Sequence, residues 1–300
     1  MRFAIIGGAG FIGSHITKKL SQSGHETLVI DNLHSGKKEN LDNINNLKFI
    51  ETDVRNFEML NEKLENVDGI FHEAGLTDVQ ESFAKPEEYY DVNVTGIQNV
   101  FKIAQKNNLK VVFASSASVY GDVENTPIKE NTSKNPINPY GETKVKGEEI
   151  AQNFIETGNK IVGLRYFNVF GKGQTMTYAG VITKFLDRII KNQPPIIFGD
   201  GKQIRDFVHV NDIVDANIHA MTEENISGFF NIGTGIPTSI EKLAKIMVKI
   251  SEKEFEPIFQ EALEGDIRKS IADTSYTEQH LGWKSKIRLE EGLRTLIERL

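Results

Sequence analysis

A chain of 300 residues with ordinary apolar and charged fractions suits one large domain or two closely joined ones, with enough length to bury a core unaided. The absence of cysteine excludes disulfides, thiolate zinc sites and cysteine nucleophiles, and it fits a reducing cytoplasm. A net charge of −7, without basic runs interleaved with aromatics, argues against a nucleic-acid surface.

The first strand is expected over residues 2–7, which leaves no room for a signal peptide, and no apolar run approaches the ~20 residues of a membrane span. That strand runs straight into Gly7-Gly8-Ala9-Gly10-Phe11-Ile12-Gly13 and an amphipathic helix to about residue 23. Glycines at 7, 10 and 13 permit a tight turn, a backbone that approaches a pyrophosphate, and close helix–strand packing, while the helix N-terminus offers free N–H groups. A glycine turn alone is weak evidence, but its place between a strand and a helix strengthens it. The next strand, 26–30, delivers Asp31, whose carboxylate accepts hydrogen bonds from an adenosine ribose and repels a 2′-phosphate. The pattern predicts NAD as cofactor in preference to NADP.

The alternation continues with strand 47–51, helix 57–64, strand 69–72, helix 86–106 and strand 109–114. This predicts an α/β fold with a doubly wound parallel sheet of the Rossmann type. Asp53, just past the third strand, is placed to face an adenine, although a loop aspartate is often only solvated. His72 and Glu73 end the fourth strand, and with no third ligand at helical spacing they do not make a metal site. Asn93 lies inside a helix, where asparagine is mildly unfavourable, so a polar task is expected of it. Strand 109–114 ends in Ser115-Ser116-Ala117-Ser118-Val119-Tyr120-Gly121, at the carboxyl end where open sheets bind ligands.

A helix is then expected from Asn138-Pro139-Tyr140-Gly141-Glu142-Thr143-Lys144, with Asn138 as N-cap, Pro139 in the first turn and Gly158 as the stop. Residues four apart share a face, so Tyr140 and Lys144 project together, roughly 6 Å apart along the axis. An ammonium beside a phenol, at the positive end of a helix, favours the phenolate. Bringing a tyrosine from about 10 to near 7 requires roughly 4 kcal/mol, and such a group exchanges protons at neutral pH. Most Tyr-x-x-x-Lys pairs are solvated helix faces. The preceding glycine turn, Asp31 and the serine cluster are what favour the functional reading here.

From about Asn168 the alternation loosens into helix 180–191, strand 196–198, helix 211–222, strand 228–232, helix 239–250 and two C-terminal helices. The expected division is a dinucleotide-binding domain over 1–170 and a smaller mixed α/β substrate-binding lobe over 171–300, with about 205–232 packing back on the first. Helices 86–106 and 139–157 carry Tyr90, Val94, Ile97, Phe101, Ile150 and Phe154, which suit a homodimer interface or burial against the sheet.

These motifs together resemble the extended short-chain dehydrogenase/reductase family and, within it, the UDP-sugar 4-epimerases. The resemblance spans nearly the whole chain. It rests on the glycine turn, Asp31-Asn32-Leu33-His34-Ser35-Gly36, Ser115 to Gly121, Pro139 to Lys144, and Leu164-Arg165-Tyr166-Phe167-Asn168-Val169-Phe170-Gly171. It continues through Gly199 to Val210, Phe230-Asn231-Ile232-Gly233 and Gly265-Asp266-Ile267-Arg268-Lys269-Ser270. It implies a catalytic trio of Ser116, Tyr140 and Lys144. NAD contacts are implied at Gly7, Gly10, Phe11, Ile12, Gly13, Asp31, Asn32, Asp53, Val54, Asn93, Ser115, Tyr140, Lys144 and Tyr166. Substrate contacts are implied at Ser116, Ser118, Tyr140, Asn168, Arg205, Arg268 and Ser270.

The implied reaction is epimerisation of a UDP-sugar through a transient 4-keto sugar, in a cytoplasmic homodimer. Related 4,6-dehydratases and decarboxylases carry added acids where this chain has Ala117 and Ser118, so dehydratase, decarboxylase and reductase chemistry stand as alternatives behind epimerisation. A non-catalytic NAD-binding regulator is a further alternative. Some family features depart here: Leu263 stands where an arginine often grips the diphosphate, Thr77 replaces a lysine, and Phe170-Gly171-Lys172-Gly173 replaces a Tyr-Gly-Pro-Arg run. Phosphate binding then rests on Asn168, Arg205 and Arg268. Ser270 stands where epimerases restricted to non-acetylated sugars resemble one another in having a tyrosine, and a serine leaves room for an acetamido group.

Overall fold

The computed structural model describes residues 1–174, 180–262 and 267–297; Leu263, Gly265 and Asp266 lie outside them. Seven strands form one all-parallel sheet: β1 (Arg2–Ile6), β2 (Glu26–Asp31), β3 (Leu47–Glu51), β4 (Gly69–His72), β5 (Lys110–Ser116), β6 (Ile161–Tyr166) and β10 (Gly228–Ile232). Their spatial order is β10-β6-β5-β4-β1-β2-β3. Growth reverses direction between β1 and β4, the topological switch point where open sheets open a crevice. The helices on its faces are α1 (Phe11–Gln22), α2 (Phe57–Lys63), the short α3 (Val79–Ala84) and α4 (Pro86–Tyr90), α5 (Gly96–Asn107) and α6 (Pro139–Glu156).

The second half contributes β7 (Asn168–Phe170), α7 (Val181–Ile190), β8 (Ile196–Phe198), β9 (Ile204–His209) and α8 (Val210–Thr222), then β11 (Pro237–Ser239) and α9 (Ile240–Ile250). It ends with β12 (Ile258–Gln260), β13 (Lys269–Ser270), α10 (Ser275–His280) and α11 (Leu289–Ile297). β9 is the hub of a small sheet: β11 and β13 flank its first half and β7 pairs with its second, while β8 and β12 form a separate parallel pair.

Strands buried on both faces read as continuous apolar runs, as in Phe3–Ile6 and Val111–Phe113. One core fills the side of α1 and α8, where Phe3, Ile5, Phe71, Val112, Leu164, Ile213 and Trp283 meet. The opposite face buries Ile6, Ile70, Val111, Ile97, Phe101 and Leu60 under α2, α5 and α6. A third core joins α7, α9, α11 and β9 around Phe185, Phe207, Leu243 and Leu293.

Three differences from the sequence reading have physical causes. The helix expected over 86–106 contains a wider turn at Asp91–Thr95, where the backbone bonds skip five residues rather than four. Of the residues read as serving either a dimer face or burial against the sheet, Val94, Ile97 and Phe101 are buried inside the chain, whereas Tyr90 is half exposed. β9 was not expected as a strand, because its Arg-Asp-Phe-Val-His run lacks a clean period of two: Asp206 and Phe207 are both buried.

Candidate functional site

The glycine turn after β1 is held by close backbone contact. Gly7 has φ +81, and a Cβ there would lie 2.5 Å from Ala74 N; a Cβ on Gly13 would lie 2.2 Å from Gly7 O. Only hydrogen fits at either position. Gly10 caps α1 without a side-chain bond, so the first helical N–H groups point at the cavity beyond the strands. That cavity, about 390 Å³, is lined by Gly7, Gly10, Phe11, Ile12, Gly13, Asp31, Asn32, Val54 and Asn168 of the expected residues.

Asp31 ends β2 nearly buried. It accepts Ala9 N–H at 2.9 Å and Leu33 N–H at 2.8 Å, so the carboxylate braces the glycine turn as well as lining the cavity. Burial raises its pKa, and those backbone N–H groups pull against the rise. Asp53 is drawn to Arg55, whose Nε donates at 2.7 Å, and to Asn32 Nδ2 at 2.9 Å. These bonds hold it down at about 2. Arg55, not Asp53, lines the cavity.

Three further expected cofactor residues work behind the wall. Asn93 Nδ2 donates to Leu76 O and Thr143 Oγ1, both at 3.0 Å, while its Oδ1 accepts Leu76 N–H at 2.8 Å. It ties the loop after β4 to α6, which answers the polar task expected of it. Ser115 Oγ donates to Glu148 Oε1 at 2.6 Å, away from the cavity. Tyr166 Oη donates to Glu73 Oε1 at 3.0 Å and accepts from Asn217 Nδ2 at 2.7 Å.

The other end of the site is built by α6. Asn138 Oδ1 accepts Gly141 N–H at 2.8 Å, and Pro139 occupies the first turn. Gly141 lets the helix press on the turn after β5, since a Cβ would stand 2.8 Å from Ser118 O. The hydroxyls of Ser116 and Ser118 hydrogen-bond to each other and to Tyr140, whose side chain is nearly buried. Lys144 Nζ donates to Ala114 O at 2.9 Å and lies over the Tyr140 ring, 5.7 Å from its centroid.

This overturns one electrostatic expectation. Burial raises the Tyr140 pKa, and the two serine hydroxyls only oppose it. The ammonium lies against the ring face instead of the hydroxyl, and burial brings Lys144 itself down to about 8. Beneath it, Glu148 on the same helix binds Arg165 twice, at 2.8 and 2.7 Å, with both side chains buried.

On the far side, Ser270 is nearly buried and stands beside Arg205 in the β13–β9 register. Arg205 Nη1 donates to Ile204 O at 2.9 Å, and the Asp206 carboxylate accepts from Thr234 N, Gly235 N and Ala272 N. Arg268 makes a two-pronged pair with Asp200, at 2.8 Å for each contact, on the surface. Neither arginine lines the cavity described above, and neither do Ser116, Ser118, Tyr140, Lys144 or Ser270.

Sequence reasoning did not assign cofactor contacts to the loop after β4, yet Glu73, Ala74, Gly75, Leu76 and Thr77 all line the cavity. The rule that ligands gather at carboxyl ends of strands could have found them.

The NAD dependent epimerase/dehydratase family model matches residues 3–233. The UDP-glucose 4-epimerase of Thermotoga maritima, solved with UDP-glucose, is similar at 37% identity and a TM-score of 0.95, covering 99% of this chain and 98% of that one. A UDP-N-acetylglucosamine 4-epimerase from Methanobrevibacter ruminantium, solved with UDP-N-acetylmuramic acid, has the same identity and TM-score, with 99% and 97% covered. The UDP-glucose 4-epimerase of Lactobacillus helveticus is 35% identical over 307 residues, 95% of this chain and 92% of the relative.

Proposed function

The chain belongs to the NAD dependent epimerase/dehydratase family, and on that premise we propose that it is an NAD-dependent UDP-sugar 4-epimerase. The observation that carries this reading is the cluster of Ser116, Ser118 and Tyr140 hydroxyls with Lys144 beside it, next to a glycine-lined cavity. Gly75 links the two, since a Cβ there would lie 3.6 Å from Lys144 Nζ.

The cavity fits NAD. Gly7 and Gly13 of the turn admit no added carbon, the uncapped start of α1 offers N–H groups to a pyrophosphate, and Asp31 supplies a carboxylate for a ribose without 2′-phosphate. NAD, when bound, supplies an acceptor that takes hydride from a sugar carbon and returns it. Tyr140, which carries its own proton, passes it out along the Ser116–Ser118 hydroxyls as it takes the proton from the hydroxyl oxygen on that carbon, and the exchange reverses when the hydride returns. Ser116 holds the same oxygen by a hydrogen bond, and Ser118 completes the hydroxyl chain. Lys144 keeps a positive charge under the tyrosine and reaches the cofactor ribose. Residues 171–300 form the substrate lobe in this reading, and its Arg205 and Arg268, together with Asn168 at the end of the first domain, hold the diphosphate through charge-assisted bonds.

The substrate pairs are UDP-glucose with UDP-galactose and, through the small Ser270, UDP-N-acetylglucosamine with UDP-N-acetylgalactosamine. The Methanobrevibacter relative, named for an acetylated substrate, supports that breadth. Purified protein given UDP-galactose should form UDP-glucose without consuming added NAD; formation of a 4-keto-6-deoxy product instead would refute epimerisation. Ser270→Tyr should slow the acetylated pair at least ~10-fold more than the plain pair, the scale at which pocket volume discriminates.

We also infer a cytoplasmic homodimer. The cysteine-free composition supports the compartment. The exposed Phe83 and Tyr90, with Ile150 and Phe154 half-buried on α6, support self-association. Light scattering after gel filtration that gives a monomer mass would refute the dimer.

A further inference from the structure

Glu73 follows β4 directly, in the wall of the cavity. One of its oxygens is accounted for: Tyr166 Oη donates to Oε1, and Asn217 on α8 in turn holds that hydroxyl. The other, Oε2, is shielded from solvent and has no hydrogen-bond partner among the described residues. A shielded carboxyl oxygen without a donor is unfavourable unless something arrives to meet it. The neighbouring wall marks which end of the cavity this is. Gly75, two residues on, lies against Lys144, so Glu73 faces the catalytic end and not the Asp31 end.

Resting on the reading that this cavity holds NAD, we propose that Glu73 is a cofactor-facing residue. Its Oε2 meets the nicotinamide end, and its carboxylate favours the oxidised, positively charged ring over the reduced, neutral one. Charges in a water-poor pocket interact far more strongly than in solvent. An enzyme that must return the hydride it takes gains from such a bias. A ketone that escaped early would leave reduced cofactor behind, and a pocket that disfavours the reduced form makes this dead end less populated.

The surrounding groups support a responsive carboxyl. Burial pushes Glu73 up to about 8, while the Tyr166 hydroxyl bond and the Lys144 charge pull it down. From β6, Tyr166 is itself raised well above its usual range by burial. From α6, Lys144 is brought to about 8, and His72 beside Glu73 in β4 is brought by burial to about 3 and is therefore neutral. Glu73 is thus mostly protonated near neutrality, and a cation arriving at Oε2 would ionise it with release of a proton.

The test uses purified protein equilibrated with mixtures of free NAD⁺ and NADH, after which the bound nucleotides are recovered and quantified. Glu73→Gln keeps the size and an acceptor but removes the charge. Above the carboxyl's value of about 8, it should shift the bound ratio toward NADH by about tenfold, equivalent to about 30 mV for a two-electron couple. The shift should shrink near neutrality. Asn217→Ala, which loosens Tyr166 without removing a charge, should leave the ratio as in the parent. An unchanged ratio in Glu73→Gln, or an equal shift in Asn217→Ala, overturns the proposal. If the parent bound neither nucleotide, the NAD reading would fail first, and the proposal with it.

Discussion

At the scale of single residues, Tyr140 and Glu73 show how burial redirects simple expectations. Tyr140 and Lys144 share a helix face, as their spacing predicts, but depth in the protein was not readable from spacing. Once both are buried, desolvation opposes the charged form of each, so the phenol moves up and the ammonium down. The protonic role of Tyr140 therefore rests on its hydroxyl neighbours. Tyr140→Phe should keep NAD binding, measured by equilibrium titration, and lower turnover at least ~100-fold. Near-parental turnover would remove Tyr140 from that role. A second consequence concerns pH. The Glu73 carboxyl holds its proton up to about 8 in the folded chain, against 4.5 for the ordinary group. Between those values the folded state binds more protons than the unfolded one, so stability falls as pH rises through the window. Glu73→Gln has no such proton to lose. Its melting temperature relative to the parent should climb steadily across that window, and a constant difference would contradict the assignment.

Among the elements, the ones most legible in the sequence carry local punctuation. The start of α6 was marked by Asn-Pro and its end by Gly158, and the glycine turn announced α1. Elements held by distant partners were not legible. β13 is two residues long and exists because β9 lies beside it, and the wide turn at Asp91–Thr95 has no sequence mark beyond the out-of-place Asn93. The same holds for side-chain direction. Ser115 and Ser116 are adjacent in a strand, so they face opposite sides, and only Ser116 joins the hydroxyl cluster. What fixes α6 against the sheet is Glu148, which gathers Arg165, Ser115 and Lys134, all but the lysine buried. Removing one partner of a buried pair strands the other. Glu148→Ala should cost about 3–5 kcal/mol in denaturant unfolding, far more than a surface pair, and a loss below ~1 kcal/mol would mean that Arg165 finds another partner.

For the whole molecule, the parallel sheet and its switch point were legible because each strand–helix unit repeats the same pattern along the chain. What closes the sheet was harder to see, since its seventh strand, β10, pairs with β6 only after β7, β8, β9 and α8 have intervened. Leu281 and Trp283 then complete the core on the α1 side. A fragment of residues 1–170 should accordingly lack a cooperative melt by circular dichroism, and a sharp transition like that of the full chain would count against this dependence. The late arrival of β10 has a further consequence, during synthesis. Chains emerge from the ribosome N-terminus first, so β6 is finished while its neighbour does not yet exist. Until Gly228–Ile232 appears, the growing protein presents an apolar strand with an open row of N–H and C=O groups, the kind of edge that invites another chain. Slow translation between Tyr166 and Gly228 would lengthen that exposure, and a chaperone able to cover one strand edge would be needed over that interval and not after it.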